Sequence, residues 1–155
     1  MVVCNPRQLK EKLEPNQSIL GLDLGTKKIG VAISDVLHTI ASPMTMIERT
    51  KFANDMCKIK IIINERNVGG IIIGLPVEMD GGEGKRCQAT RAFGDNLINH
   101  VYKPVAYWDE RLSTAAVQRM FIKEANLSRK RRSYLVDKAA AAYILQGALD
   151  ALADD

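Results

Sequence analysis

The sequence has no apolar run that approaches the roughly 18–20 residues needed to cross a membrane. Its first residues, MVVCNPRQLKEKLEPNQ, are too charged for a signal peptide and lack the apolar segment of one. Cysteine is scarce: Cys4, Cys57 and Cys87 are scattered, odd in number and not at metal-ligand spacing. These absences argue against a membrane partner and a disulfide framework, and they predict a protein of the reducing cytoplasm.

The chain also lacks internal repeats, low-complexity tracts and the length for a second large domain. Its 155 residues are 46% hydrophobic and 26% charged, which is the composition of a globular protein with one buried core. We predict a polar N-terminal leader over residues 1–17, with a short helical piece around Leu9 to Leu13. A single domain is predicted over residues 18–155.

Positive charge is concentrated in one late segment. The net charge is +4, yet residues 111–138 hold eight basic and two acidic residues, against 14 basic and 16 acidic in the remainder. The densest part is the run from Arg129 to Arg132. Such a segment is either a solvated helix face or loop, or a contact surface for a polyanion such as nucleic acid.

Hydrophobic periodicity predicts five strands and four helices. The strands are expected at 19–25, 28–34, 39–47, 70–74 and 104–109. The helices are expected at 51–66, at 86–101, from a Ser113 or Thr114 cap to Ile122, and at 133–152. Three strands joined by hairpins, followed by strands that alternate with helices, predict an α/β fold with a mixed sheet and helices on its faces.

Asp23 is an acidic residue inside the apolar first strand, ILGLDLG. Strand alternation places it on the same face as Gly21 and Gly25, so we interpret the glycines as leaving room for something other than a side chain. A buried carboxylate is costly unless it is paired, hydrogen-bonded or bound to a metal ion. The alternative for Asp23 is an ordinary ion pair with a lysine, or a turn cap.

Two further acids are candidates for the same site. Glu110 follows the last strand, where open parallel sheets place ligands. The alternative, which an isolated Asp-Glu-Arg run favours, is a strand exit into solvent with Arg111 as a local counter-ion. Asp137 lies early in the final helix, where the helix dipole alone could explain it. The small residues Ala140 and Ala141 would let that helix approach the sheet.

Together the three acids suggest a metal site. Clustered carboxylates repel one another, and a hard divalent cation such as Mg²⁺ or Mn²⁺, which accepts oxygen ligands, removes that conflict. Ions held in this way activate water for phosphodiester hydrolysis. This chemistry would also account for the basic segment beside Asp137.

Four motifs, GLDLGTKKIGVAISD, IIIGLPVEMDGGEG, WDERLST and VDKAAAAYILQ, resemble the YqgF family over about residues 18–152. The resemblance implies an RNase H-like fold, related to the RuvC-type Holliday junction resolvases. Its five-stranded mixed sheet has three antiparallel strands and then two parallel ones, with helices on both faces. Family members are regarded as nucleases that process the 5′ end of the precursor of 16S ribosomal RNA.

The resemblance also implies residue roles. The family's catalytic, metal-binding acids match Asp23, Glu110 and Asp137. Lys27, Lys28 and Arg111 are expected to hold backbone phosphates, and the family often has Arg where Lys28 stands. The flanking nucleic acid is expected to contact Arg129, Lys130, Arg131 and Arg132.

Four functions remain open at this point. The first is a metal-dependent nuclease that acts on structured RNA, in contact with ribosome assembly intermediates. The second is a Holliday junction resolvase that acts on branched DNA, which would require a dimer, whereas the sequence is compatible with a monomer or a weak homodimer. A nucleotide hydrolase is disfavoured because the DLGT turn of actin-like ATPases and sugar kinases occurs only once. A non-catalytic nucleic-acid-binding assembly factor is disfavoured by the complete set of three acids.

Overall fold

A mixed β-sheet lies at the centre of the computed structural model, which describes residues 3–78, 80–112 and 129–153, with the backbone alone for 129–138. The described strands are β1 (Val3–Cys4), β2 (Ser18–Leu24), β3 (Lys28–Ser34), β4 (Ala41–Glu48), β5 (Val68–Leu75) and β6 (Val105–Asp109). The described helices are α1 (Pro6–Glu11), α2 (Phe52–Glu65), α3 (Lys85–Val101) and α4 (Arg129–Ala153), with a 3₁₀ turn at Glu110–Leu112. Within these residues the strand order is β1-β6-β5-β2-β3-β4.

The first three predicted strands form an antiparallel meander, β2-β3-β4. The β2–β3 turn is tight, with the Gly25 amide donating to the Lys28 carbonyl at 2.9 Å. Strand β4 is an edge strand, and its Pro43 faces Ala32 beside a shift in register. The expectation that proline would mark an edge or a bulge is therefore confirmed, because proline cannot donate a ladder hydrogen bond.

The parallel half of the sheet is formed by β2, β5 and β6. Every residue of β5, VGGIIIGL, is buried, as expected for a parallel strand covered on both faces. In the register, Leu22 pairs with Ile73, and Gly74 pairs with Trp108. The carboxyl ends of the three strands therefore meet at one edge of the sheet.

Helices cover both faces of the sheet, as predicted. Helices α2 and α3 pack on one face through residues such as Ile59 and Leu97. Helix α4 covers the other face, where Ala141, Leu145 and Ala148 are fully buried. None of the helices that the structure describes combines the length and the apolar character that a membrane crossing requires.

The segment predicted as a polar leader contributes a strand and a helix to the sheet edge. Strand β1 pairs in parallel with β6, and Asn5 and Gln8 form a reciprocal capping box that begins α1. The side chain of Leu9 is fully buried against Gly70, where an added Cβ would lie 2.6 Å from Leu9 Cδ2. The short helical piece predicted around Leu9 to Leu13 is observed at Pro6–Glu11, whereas the two-residue strand is too short for periodicity to reveal.

Candidate active site

Asp23 and Glu110 meet at the carboxyl edge of the parallel strands. Asp23 is half-buried in β2, opposite Gly30 of β3, and Glu110 is the first residue after β6. The two side chains are joined by a hydrogen bond. The structure therefore brings together two of the three predicted acids, which are 87 positions apart in the sequence.

Glycine at position 74 makes this contact possible. Strand β5 lies between β2 and β6, so Glu110 must reach across β5 to approach Asp23. An added Cβ at Gly74 would lie 3.0 Å from Glu110 Oε1 and 2.5 Å from Ile144 Cδ1. The absence of a side chain at Gly74 thus leaves the space that Glu110 occupies.

The pair is electrostatically strained. Burial, followed by the charge of Asp23 and the hydrogen bond to it, raises the pKa of Glu110 from 4.5 to about 7, while the Arg86 cation opposes this rise. Near neutral pH Glu110 is therefore partly protonated, and its hydroxyl donates to Asp23. The repulsion expected among the acids takes the form of a proton that Glu110 shares with Asp23.

Asp109 and Arg111 form a separate unit beside this pair. The Arg111 guanidinium binds the Asp109 carboxylate, with Nη2 2.6 Å from Oδ2, and holds the pKa of Asp109 below its usual range. Arg111 Nη1 also donates to the Glu78 carbonyl at 3.2 Å. Arg111 is thus the counter-ion of Asp109, while its expected contact with phosphate stays a prediction.

The position of α4 on the sheet bears on Asp137, the third predicted acid. An added Cβ at Gly21 would lie 2.8 Å from Leu145 Cβ and 3.2 Å from the Ala141 carbonyl oxygen. The space beside Gly21 is therefore filled by the helix, which corrects the interpretation that this glycine leaves room for a ligand. The expected close approach of α4 at Ala141 is confirmed.

The direction of α4 follows from its other contacts. Gln146 bonds to the Ala41 amide and the Thr39 carbonyl, at the end of β4 remote from Asp23. The N-terminal part of α4 therefore points towards the carboxylate edge. Asp137 lies on that part, one turn before Ala141, but its side chain is outside the described residues.

The predicted phosphate-binding lysines lie next to Asp23. Lys27 and Lys28 are exposed in the β2–β3 turn and line, with Asp23, an open cleft of about 300 Å³. The predicted basic cluster of Arg129, Lys130, Arg131 and Arg132 begins α4, and the side chains of these residues are outside the described part. The predicted helix from Ser113 or Thr114 to Ile122 also falls outside it.

One basic residue near the pair was missed by the sequence analysis. Arg86, in the first turn of α3, is exposed and lines with Glu110 and Arg111 a cleft of about 720 Å³. The available signal was the Lys85-Arg86 pair directly after the Gly-rich loop. The predicted helix began at Arg86, and no functional role was assigned to the Lys85-Arg86 pair.

The donor chemistry of the pair suits a hard cation. Carboxylate oxygens of Asp23 and Glu110 are the ligands that Mg²⁺ or Mn²⁺ accepts, and a cation between them would displace the shared proton. No group of three or more His, Cys, Asp or Glu side chains that could hold a metal ion occurs in the described part of the chain. A third carboxylate ligand would have to come from outside the described part. The side chain of Asp137 is one of those outside it.

Comparisons with known proteins identify the family of the chain. A sequence model of the family described as "RuvX: Holliday junction resolvase" matches residues 17–151. A protein of Rhodospirillum rubrum described as a "putative pre-16S rRNA nuclease" is 54% identical over 152 residues, covering 98% of this chain and 94% of its own. A Paramagnetospirillum magneticum protein with the same description is 54% identical over 150 residues, covering 97% and 96%.

Solved structures share the architecture at low sequence identity. RuvC of T. thermophilus, in complex with a Holliday junction substrate, superposes with a TM-score of 0.54 at 12% identity, over 87% of this chain and 94% of that one. The yeast mitochondrial Holliday junction resolvase gives a TM-score of 0.51 at 13% identity, over 95% and 83%. These likenesses confirm the predicted RNase H-like fold, to which the short strand β1 adds a sixth strand in the described residues.

Proposed function

The chain belongs to the RuvX family of nucleases, and on this basis we propose that it hydrolyses phosphodiester bonds in the precursor of 16S ribosomal RNA. In this proposal the chain cleaves at the 5′ end of that RNA, in the cytoplasm, during ribosome assembly. Relatives that are 54% identical over nearly the whole chain are described as "putative pre-16S rRNA nuclease".

The observation that carries the proposal is the Asp23–Glu110 pair. Folding brings two carboxylates into contact at the carboxyl edge of the sheet, although their repulsion and burial raise the pKa of Glu110 to about 7. Such an arrangement costs stability unless a ligand favours it. A divalent cation is the ligand whose charge and chemistry fit two carboxylates.

In this proposal Asp23, Glu110 and Asp137 hold Mg²⁺ or Mn²⁺ as the catalytic acids. When bound, such an ion lowers the pKa of a coordinated water and stabilises the leaving oxygen. Glu110 would hold such an ion in its ionised form, and Gly74 keeps the path of its side chain open. Asp23 is fixed by β2, so that the site is built on a rigid strand.

The cations around the pair hold the substrate in this proposal. Lys27 and Lys28 bind backbone phosphates beside Asp23, and Arg129 to Arg132 contact the flanking nucleic acid. Arg111 orders Asp109 and the loop carbonyl of Glu78, and offers its exposed edge to phosphate. The chain acts as a monomer or a weak homodimer on a ribosome assembly intermediate.

A second candidate is resolution of Holliday junctions in DNA. The description of the matching family favours it, and the same acids and metal ion would serve both reactions. A resolvase cuts two strands symmetrically and therefore needs two copies of the site. Symmetric paired nicks would be its signature.

The test compares two substrates directly. End-labelled precursor 16S RNA and a synthetic four-way DNA junction are incubated with Mg²⁺, with Mn²⁺ or with a chelator, using the natural chain and Asp23→Asn. Metal-dependent cutting of the RNA that the variant lacks supports the proposal. Paired nicks in the junction support the second candidate, and equal cutting by both proteins refutes the role of Asp23.

A further inference from the structure

Three clefts lie next to one another: one is lined by Asp23, one by Glu110, and the third shares lining residues with both. The cleft that contains Asp23, Lys27 and Lys28 also includes Thr26. Thr26 lines a small pocket of about 80 Å³ as well, on whose other side stands Arg86. Arg86 then lines the large cleft that contains Glu110. A path therefore runs around the pair from the β2–β3 turn to the beginning of α3.

The arginines along this path differ in the hydrogen bonds and ion pairs that they make within the protein. Arg49 Nη1 donates to the Gly25 carbonyl at 2.8 Å, and its guanidinium lies 5.7 Å from the centre of the Phe93 ring. Arg111 is bound to Asp109 and to the loop. These two arginines brace the turn and the loop that form the walls.

Arg86 is placed differently. Its side chain is exposed, stands in the walls of two clefts and is close enough to Glu110 for its charge to favour the ionised carboxylate. A substrate that meets the carboxylate pair brings the negative charge of its phosphates to the same place. An arginine there supplies a planar fork of donors that fits two phosphate oxygens.

We propose that Arg86 is a substrate-positioning residue that binds a backbone phosphate of the cleaved strand and steers that strand across the Asp23–Glu110 pair. The inference rests on the proposed nuclease function and extends it to the path of the strand. The strand lies between the lysines of the β2–β3 turn on one side and Arg86 on the other. Arg86 acts on geometry and takes no part in proton transfer.

Arg66 provides a matched control. It is an exposed arginine that follows α2 and precedes the first residue of β5, whereas the carboxylate pair lies at the last residues of β5. Arg66→Ala thus removes the same charge at the opposite edge of the sheet. Arg86→Lys retains the charge of Arg86 but loses the fork.

The first experiment counts phosphate contacts without cleavage. Binding of a short fluorescein-labelled single-stranded RNA is measured by anisotropy in chelator, at salt concentrations from about 50 to 200 mM. Loss of one phosphate contact reduces the slope of log K against log salt by about 0.7 for a single strand. We expect this reduction in Arg86→Ala, with the slope retained in Arg86→Lys and in Arg66→Ala.

The second experiment measures metal-dependent cleavage of the same proteins under single-turnover and steady-state conditions. Loss of a charge-assisted contact and the misplacement of the strand predict a fall in kcat/KM of roughly 10- to 100-fold in Arg86→Ala. We expect part of this fall in kcat. Arg86→Lys is expected to recover binding more fully than kcat.

The outcomes separate the inference from the function on which it rests. If the natural chain cleaves RNA with metal and Arg86→Ala matches Arg66→Ala in both slope and kcat/KM, Arg86 does not position the strand. If the natural chain cleaves neither RNA nor DNA, the proposed function itself fails. A salt slope that is reduced in Arg86→Ala, but not in Arg86→Lys or Arg66→Ala, supports the inference, because this slope is measured without cleavage.

Discussion

Replacing Glu110 by Gln tests whether the carboxylate pair is held together at a cost to folding. The folded-state pKa of Glu110 is about 7, against 4.5 when unperturbed. Protonated Glu110 contributes to the free energy of unfolding. This contribution is fully present below about pH 4.5 and is lost as pH rises through about 7. Glutamine stays neutral and can still donate to Asp23, so Glu110→Gln should keep this stability at high pH.

The size of the effect follows from the same shift. The full difference corresponds to about 3 kcal/mol, and we reduce it to about 1–2 kcal/mol because Glu110 is partly exposed and screened by water. In a domain of this size, 1 kcal/mol moves Tm by roughly 2–4 °C. Metal-free Glu110→Gln should therefore melt about 3–6 °C above the natural chain at pH 8.5 and close to it at pH 5.

The assay is thermal unfolding in chelator at the two pH values, with Glu65→Gln as the control. Glu65 is exposed at the end of α2, so its replacement removes a charge far from the pair and should leave Tm unchanged. Added Mg²⁺ should stabilise the natural chain and have less effect on Glu110→Gln. A lower Tm for Glu110→Gln at pH 8.5, or the same difference at both pH values, would refute the reasoning.

Three other predictions follow from the structure. Gly74→Ala places a Cβ 3.0 Å from Glu110 Oε1, so metal-dependent cleavage should fall by more than the loss of folding stability explains. Cleavage rates and urea unfolding of the same protein measure the two effects separately. Leu9→Ala should destabilise the domain by about 2–5 kcal/mol in urea unfolding, since Leu9 is fully buried, and a null effect would show that α1 does not pack on the sheet. Mg²⁺ affinity should increase from pH 5.5 to 8, because Glu110 must ionise. Proton release should approach one per ion at pH 5.5 and fall at pH 8, and calorimetry in buffers of different ionisation enthalpy checks this.

Much of the architecture could be predicted because it depends on local patterns. Alternating apolar residues predicted β2 and β3, and Gly25 with the following Thr26-Lys27 predicted their tight turn. The wholly apolar run of β5 predicted a buried strand. These features could be read because each is set by residues close in the chain.

The N-terminal segment shows where this approach fails. Strand β1 is held by its pairing with β6, and α1 by the burial of one side chain, Leu9, against Gly70. The short helical piece predicted around Leu9 to Leu13 is observed as α1, but its packing and the pairing of β1 depend on distant partners, which local patterns do not reveal. The residues of the segment are mostly polar, so their composition did not indicate that the segment pairs with the sheet.

The candidate site divides in the same way. The sequence by itself determined which acids were available and that Asp23 would lie in an apolar strand, since these depend on residue type and alternation. Only the tertiary structure decided that Glu110 crosses β5 over Gly74 to share a proton with Asp23. It also placed Arg86 beside the pair. These contacts join residues far apart in the chain, and their energies depend on burial and distance, which exist only once the sheet and helices have packed.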